Sequence, residues 1–279
     1  MSVIICGHLY TLYTDYQDDK KPRSDFLEHF RSKVLKEKAD STDLILAGDY
    51  LYSALPLYRD FFYEHFTKEV EKQYTIHYLP ATHELKGVNY SEGIKPSSFW
   101  FKFIRDSTLF SGLSYYADTG QETFESHKLK IDKNITHQLL KRWEDNASLK
   151  KVLILPDLRW AIGKPENSEE ILNLVTKADL TIVGDNEYSF HNYGWMKVQG
   201  SKVVMTGLPY GLKKEFGGMG SYVVIKGLDL NSELDVQVKP FNIGNGLSKI
   251  YEQDWDKVVK RKQGFSERIK NKIKRRFFK

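Results

Sequence analysis

Residues 44–49 read Leu-Ile-Leu-Ala-Gly-Asp. Four consecutive apolar residues describe a short strand, and Gly48-Asp49 closes it with a turn residue and a carboxylate. Upstream, residues 25–38 carry apolar side chains at helical spacing through Phe26, Phe30, Val34 and Leu35, and residues 2–6 (Ser-Val-Ile-Ile-Cys) read as a buried strand. The three pieces form a β-α-β opening. A second unit follows, with a helical pattern over 58–74 and a strand over 74–79 ending at Pro80. Parallel strands joined by helical crossovers imply an α/β sheet whose functional groups gather at the C-terminal ends of the strands.

Further along, residues 88–135 are rich in Ser, Gly, Tyr and Phe, and pieces such as 98–104 alternate as in hairpins. Phe99, Trp100, Phe101, Tyr115 and Tyr116 read as core for this excursion, with base stacking or contact with a partner as the other reading. A helix is expected over 134–145, a strand over 151–155, a helix over 168–176 and a strand over 180–183. Strands at 195–198, 202–205 and 222–225, separated by Gln199-Gly200-Ser201 and the glycine-rich turn 217–220, read as an antiparallel meander.

The chain has 279 residues, 41% of them hydrophobic, enough to bury a large core. A disordered or collagen-like chain is excluded. Its single cysteine, Cys6, cannot form an internal disulfide, which points to a reducing compartment. With no apolar run long enough to span a bilayer and no signal sequence, the expectation is a cytoplasmic protein. The net charge of +5 is unevenly spread. Residues 256–279 hold eleven Lys and Arg against Asp256 and Glu267, a local +9 that leaves the rest of the chain at −4. Lys260, Arg261, Lys262, Arg268, Lys270, Lys272, Lys274, Arg275 and Arg276, interleaved with apolar residues at helical spacing, form a basic amphipathic segment. A polyanion such as nucleic acid suits it. An anionic membrane face, a partner groove and a merely solvated helix are the other readings.

Each strand of the α/β core ends in a polar cluster: His8 and Tyr10; Gly48-Asp49; Thr82-His83-Glu84; Asp157; and Gly184-Asp185-Asn186-Glu187. The order of these clusters resembles the calcineurin-like metallophosphoesterases, and within them the SbcD-type nuclease subunit that pairs with a coiled-coil ATPase. Residues 4–10, 44–49, 79–84, 153–157 and 182–187 stand where that family has its motifs, and 204–210 with 215–225 is similar to the stretch after its last metal motif. The resemblance covers about residues 2–242. It implies a four-layer α/β sandwich over 1–243 and an appended basic helical tail over 244–279.

The departures from the family pattern are as informative. His8 stands for the first Asp ligand, Tyr10 for the first His, Thr82 for Asn, and Asp185 and Glu187 for the last two His. Asp157 is the nearest candidate for the lone His. Asp49 keeps the place of the bridging carboxylate, and His83 that of the general acid. Two-metal hydrolysis needs paired cations clamping the attacking and leaving oxygens. His8, Asp49, Asp157, Asp185 and Glu187 offer a hard, oxygen-rich set suited to Mg²⁺ or Mn²⁺. Without a cation, four neighbouring carboxylates repel one another. Two functions follow: a degenerate phosphoesterase fold that binds DNA, a nuclease-ATPase complex or another protein without hydrolysis, with no cofactor; or a metal-dependent nuclease with those ligands and His83 as acid.

Overall fold

The computed structural model describes residues 1–9, 24–37, 41–51, 56–85, 99–114, 132–157, 168–184, 193–198, 200–207, 221–240 and 250–254, and the architecture is that of these residues. Two sheets organise it. In the first, β1 (Ser2–Cys6) lies between β2 (Ser41–Ala47), parallel to it, and β10 (Ser221–Lys226), antiparallel to it. β3 (Thr75–Leu79) extends this sheet beyond β2, and β11 (Asp235–Pro240) extends it beyond β10. The second sheet has seven strands. β6 (Lys150–Leu155) and β7 (Leu180–Val183) are central and parallel, flanked on one side by the hairpin β4 (Trp100–Arg105) and β5 (Thr108–Leu113). On the other side lie β9 (Ser201–Met205), β8 (Tyr193–Val198) and β12 (Ile250–Asp254).

Period-two alternation on strands that are apolar throughout explains the layering. Val3, Ile5, Ile45 and Ala47 of the first sheet share one core with Val152, Ile154, Ile182 and Val204 of the second. Their neighbours Ile4, Cys6, Leu44 and Leu46 point outward onto Phe30 and Val34 of α1 (Ser24–Lys36) and onto Phe66 and Val70. Across the second sheet, Leu153, Leu155, Val183 and Met205 pack under α5 (Lys133–Asp145) and α6 (Ser168–Lys177) through Leu139, Trp143, Ile171 and Leu174. The result is helix, sheet, sheet, helix. α2 (Pro56–Phe62) runs through a π-helical turn, Tyr63–Thr67, into the short α3 (Lys68–Val70), and α4 (Thr82–Leu85) follows β3. None of these helices is long and apolar enough to cross a membrane, among the described residues.

Two expectations need correction. The three late strands are not a meander: β8 and β9 form an antiparallel hairpin, but β10 crosses to the first sheet and pairs with β1. The turn signals were local and could not say which sheet receives the next strand. β10 is apolar on both faces, with Val223 and Ile225 between the sheets and Tyr222 and Val224 under α1, so only an interior position satisfies it. In addition, Ile250–Asp254, inside the segment assigned to the helical tail, is strand β12, parallel to β8. The basic residues from 257 onward lie outside the described residues, as do Tyr115, Tyr116 and the glycine-rich turn 217–220. Phe99 is buried in the core as expected, and Phe101 packs over Gly112, where an added Cβ would meet its ring at 2.2 Å.

Candidate functional site

The strand ends meet through backbone. A Cβ on Gly7 would lie 2.3 Å from the Ala47 carbonyl oxygen and 2.5 Å from Gly184 Cα; one on Gly184 would lie 1.6 Å from the same Ala47 oxygen. Gly207, at φ +100°, closes the group, with the Gly184 oxygen 2.3 Å from where its Cβ would stand. Only glycine lets β1, β2, β7 and the residues after β9 approach this closely. Gly7 N–H also donates to Thr206 Oγ1 at 3.1 Å, and Gly184 N–H to the Leu155 oxygen at 3.0 Å. The C-terminal edges of the two sheets therefore converge on one point.

Around that point stand His8, Asp49, His83, Glu84 and the residues next to Pro156. His8 (φ +52°) and Asp49 (φ +48°) both adopt left-handed backbone conformations, which sparsely populated region clusters at functional turns. His8 N–H donates to the Gly48 oxygen at 2.8 Å, joining the first two strand ends. His8, Asp49 and Asp157 are each buried. Pro156 is placed beside Gly48, whose added Cβ would lie 2.8 Å from the proline Cβ, so Asp157 enters from the second sheet at the same edge.

Asp49 and Glu84 divide the backbone of α4 between them. Ala81, preceding the helix, has no oxygen with which to cap it. Asp49 Oδ1 supplies the cap from another strand end, accepting the His83 N–H at 2.9 Å. Glu84 reaches back to the Ala81 N–H at 2.8 Å, as the third helical residue does in a capping box, and also accepts from Asp49 N–H at 2.9 Å and Leu51 N–H at 2.7 Å. Burial, and then the charge of Asp49, push the Glu84 carboxyl up to about 8, against three N–H groups that favour its anion.

Of the residues singled out in the sequence, the structure brings His8, Asp49, His83 and Asp157 to one edge. Asp185, Glu187, Tyr10 and the nine basic tail residues lie outside the described residues. Among the described residues, no three His, Cys, Asp or Glu side chains are grouped to hold a metal ion. The described donors do not by themselves make a metal centre. Sequence reasoning took Glu84 as part of a motif and missed its clamp; the spacing of three from Ala81 was the available signal. It also missed Gly7 and Gly207 as contact points, since close approach across 200 residues leaves no local trace.

No family model matches the sequence, and no curated protein is similar to it. Among solved structures, a purple acid phosphatase from yellow lupin (Lupinus luteus) seeds is 13% identical, with a TM-score of 0.53 over 92% of this chain and 55% of that one. The fold is that of the calcineurin-like metallophosphoesterases. A Staphylococcus aureus protein assigned as a 5′-nucleotidase, solved with α-ketoglutarate, is 15% identical, with a TM-score of 0.48 over 94% of this chain and 57% of that one. The chain spans little more than half the length of either.

Proposed function

We propose that this chain uses a metallophosphoesterase fold as a binding platform for DNA or a protein partner and does not hydrolyse phosphodiesters. The observation that supports this reading is how the acids at the strand ends are employed. Asp49 caps α4 through Oδ1, and Glu84 accepts three backbone N–H groups, so both serve the local backbone. The first strand ends in His8, where a two-ion site of the resembled family takes a carboxylate. The basic segment 256–279 supplies the charge for a polyanion, and an SbcD-like role beside a coiled-coil ATPase, in the cytoplasm, is the partner the resemblance favours. Phosphate contacts of this kind make affinity fall steeply with salt. Deleting 256–279 is expected to flatten the salt dependence of DNA binding; an unchanged slope moves the binding site elsewhere.

A second reading is favoured by one contact. His83 N–H on Asp49 holds the candidate acid beside the candidate bridging carboxylate. On that reading His8, Asp49, Asp157, Asp185 and Glu187 hold Mn²⁺ or Mg²⁺ in a nuclease, and His83 protonates the leaving oxygen. Calorimetry with Mn²⁺ separates the two. The platform predicts no saturable binding at millimolar metal. Tight binding abolished in Asp49→Asn, with nuclease turnover lost in His83→Ala, establishes the enzyme.

A further inference from the structure

β8 runs antiparallel to β9, β9 runs parallel to β7, and β12 runs parallel to β8. The turn between β8 and β9 and the last residue of β12 therefore lie at the edge of the second sheet opposite the one where Gly184 and Gly207 follow β7 and β9. Lys202 and Gly207 are five residues apart along β9 and its continuation, a rise of about 16 Å. At this far edge Lys197 and Lys202 are exposed and stand directly opposite each other across the hairpin, on one face, where like charges repel. Lys68, Lys72, Lys133 and Lys239 each meet a glutamate carboxylate at 2.7 to 2.9 Å, whereas among the described residues neither Lys197 nor Lys202 does. The turn beside them is open, since a Cβ at Gly200 would meet nothing within 4 Å. β12 ends at Asp254, in register with Lys197, and Lys257, the first lysine of the basic segment, follows three residues later. Three residues span at most about 11 Å, so the basic segment starts at this same edge. Asp254 offsets one of the two lysine charges at most and leaves the +9 of residues 256–279 untouched.

We propose that this edge is where the body of the protein contacts duplex DNA, with Lys197 and Lys202 each taking a backbone phosphate and the basic segment that starts beside them taking further phosphates of the same duplex. Duplex DNA carries one negative charge per about 1.7 Å of its axis, so neighbouring lysines find phosphates without any base being read. Phosphates between the two ammonium groups also relieve the repulsion that the hairpin builds in. A single strand is held by stacking its bases on exposed aromatic rings, and among the described residues none of the exposed large hydrophobic side chains, Met1, Leu57, Tyr63, Tyr78, Ile104 and Leu230, belongs to β8 or β9. The same observation speaks against an anionic membrane, which an interfacial surface enters with apolar side chains. The inference rests on the nucleic-acid reading of the platform and places the contact at the edge away from the strand ends.

The test follows binding of the full chain to a short labelled DNA duplex by fluorescence anisotropy across a salt series. Each phosphate contact contributes about 0.9 to the slope of log affinity against log salt. The Lys197→Gln, Lys202→Gln double variant is expected to lower that slope by about 1.8, and Arg at both positions to keep it. The Lys68→Gln, Lys72→Gln double variant, which removes the same charge from the helical layer over the first sheet, is expected to leave it unchanged. Both hairpin lysines are exposed, and a thermal midpoint that does not fall checks the fold. A full slope in the Lys197→Gln, Lys202→Gln variant overturns the hairpin contact, and the nucleic-acid reading then stands on the flattening produced by deleting 256–279. Equal losses in the two Gln double variants also overturn the contact, because charge then acts over the whole surface and not at one edge. No binding of the native chain to the duplex overturns the contact and the nucleic-acid reading together, and binding in that case to vesicles containing phosphatidylserine assigns the basic residues to a membrane.

Discussion

The two ends of β2 each bury a carboxylate, and they treat it in opposite ways. Near the N-terminal end, Asp43 is fully buried between the sheets and surrounded by donors, two of which carry or can carry positive charge. Arg105 from β4 grips both oxygens, at 2.5 and 2.8 Å, His77 Nε2 lies 2.8 Å from Oδ1, and Thr42 donates at 2.7 Å. Burial alone would raise its pKa, but these hydrogen bonds and the guanidinium charge outweigh it and hold the carboxyl at about 2. Phe103 stacks on His77 at 4.0 Å and takes Arg105 over its face at 5.3 Å, so the ion cluster is roofed by aromatic rings. At the C-terminal end, Glu84 accepts, among the described residues, backbone N–H groups and lies beside the second acid Asp49, and its carboxyl is pushed the other way. One end locks the two sheets together. The other concentrates like charge where the strand ends open, and stability invested away from a site lets the site itself stay electrostatically unfavourable.

The largest expected effect comes from the backbone contact behind the second end. Gly184→Ala would set a Cβ 1.6 Å from the Ala47 oxygen, with backbone on both sides and no flexible side chain to yield. The expected cost is at least about 4 kcal/mol, enough to unfold a domain of ordinary stability. Urea denaturation followed by circular dichroism measures it. A soluble variant with an unchanged midpoint would show that the two sheets do not meet at Gly184.

At the opposite end, Arg105→Ala removes the guanidinium and leaves Asp43 buried with His77 and Thr42. Full burial of an unpaired charge costs several kcal/mol, but Arg105 is partly exposed and two donors remain, so about 2 kcal/mol is expected. The pH dependence is the sharper readout. A carboxyl whose folded pKa of about 2 lies below its ordinary 3.8 adds stability above that ordinary value and loses it as pH falls through 2. In Arg105→Ala the folded pKa rises toward the ordinary value. The acid loss of stability should then shrink between pH 4 and 2, and an acid limb identical to that of the native protein would remove Arg105 from the cluster.

What was legible in the sequence follows from the same contrast. β1 and β7 run over the residues their apolar patterns marked, and α5 and α6 begin and end within a residue of their expected bounds, because burial on one face or two writes a local period. Gly48-Asp49 was legible as a strand end, since a turn glycine and an acid follow an unbroken apolar run. The Asp43 cluster was not. Its members are separated by 34 and 62 residues, and His77, on a half-buried strand, has no ligand spacing to mark it. The destination of β10 was hidden for a related reason: its sequence states that both faces are covered but not by what.

The smallest effect tests the acidic end directly. Glu84→Gln keeps the shape and one acceptor oxygen but turns an amide N–H₂ toward a backbone donor, so a loss of about 1 to 2 kcal/mol is expected at pH 5. The sign of its pH dependence is opposite to that of Asp43. A carboxyl whose folded pKa of about 8 exceeds its ordinary 4.5 favours the folded state fully below 4.5, and that contribution is lost as pH rises through 8. The native protein, measured with chelator present, should therefore lose stability between pH 4.5 and 8, and Glu84→Gln should flatten that limb while leaving the acid limb set by Asp43 in place. If the variant keeps the native slope between pH 4.5 and 8, then burial and the neighbouring Asp49 do not raise the Glu84 carboxyl. If only this slope changes, the two ends of β2 titrate independently, as expected for clusters fixed at opposite edges of one rigid strand.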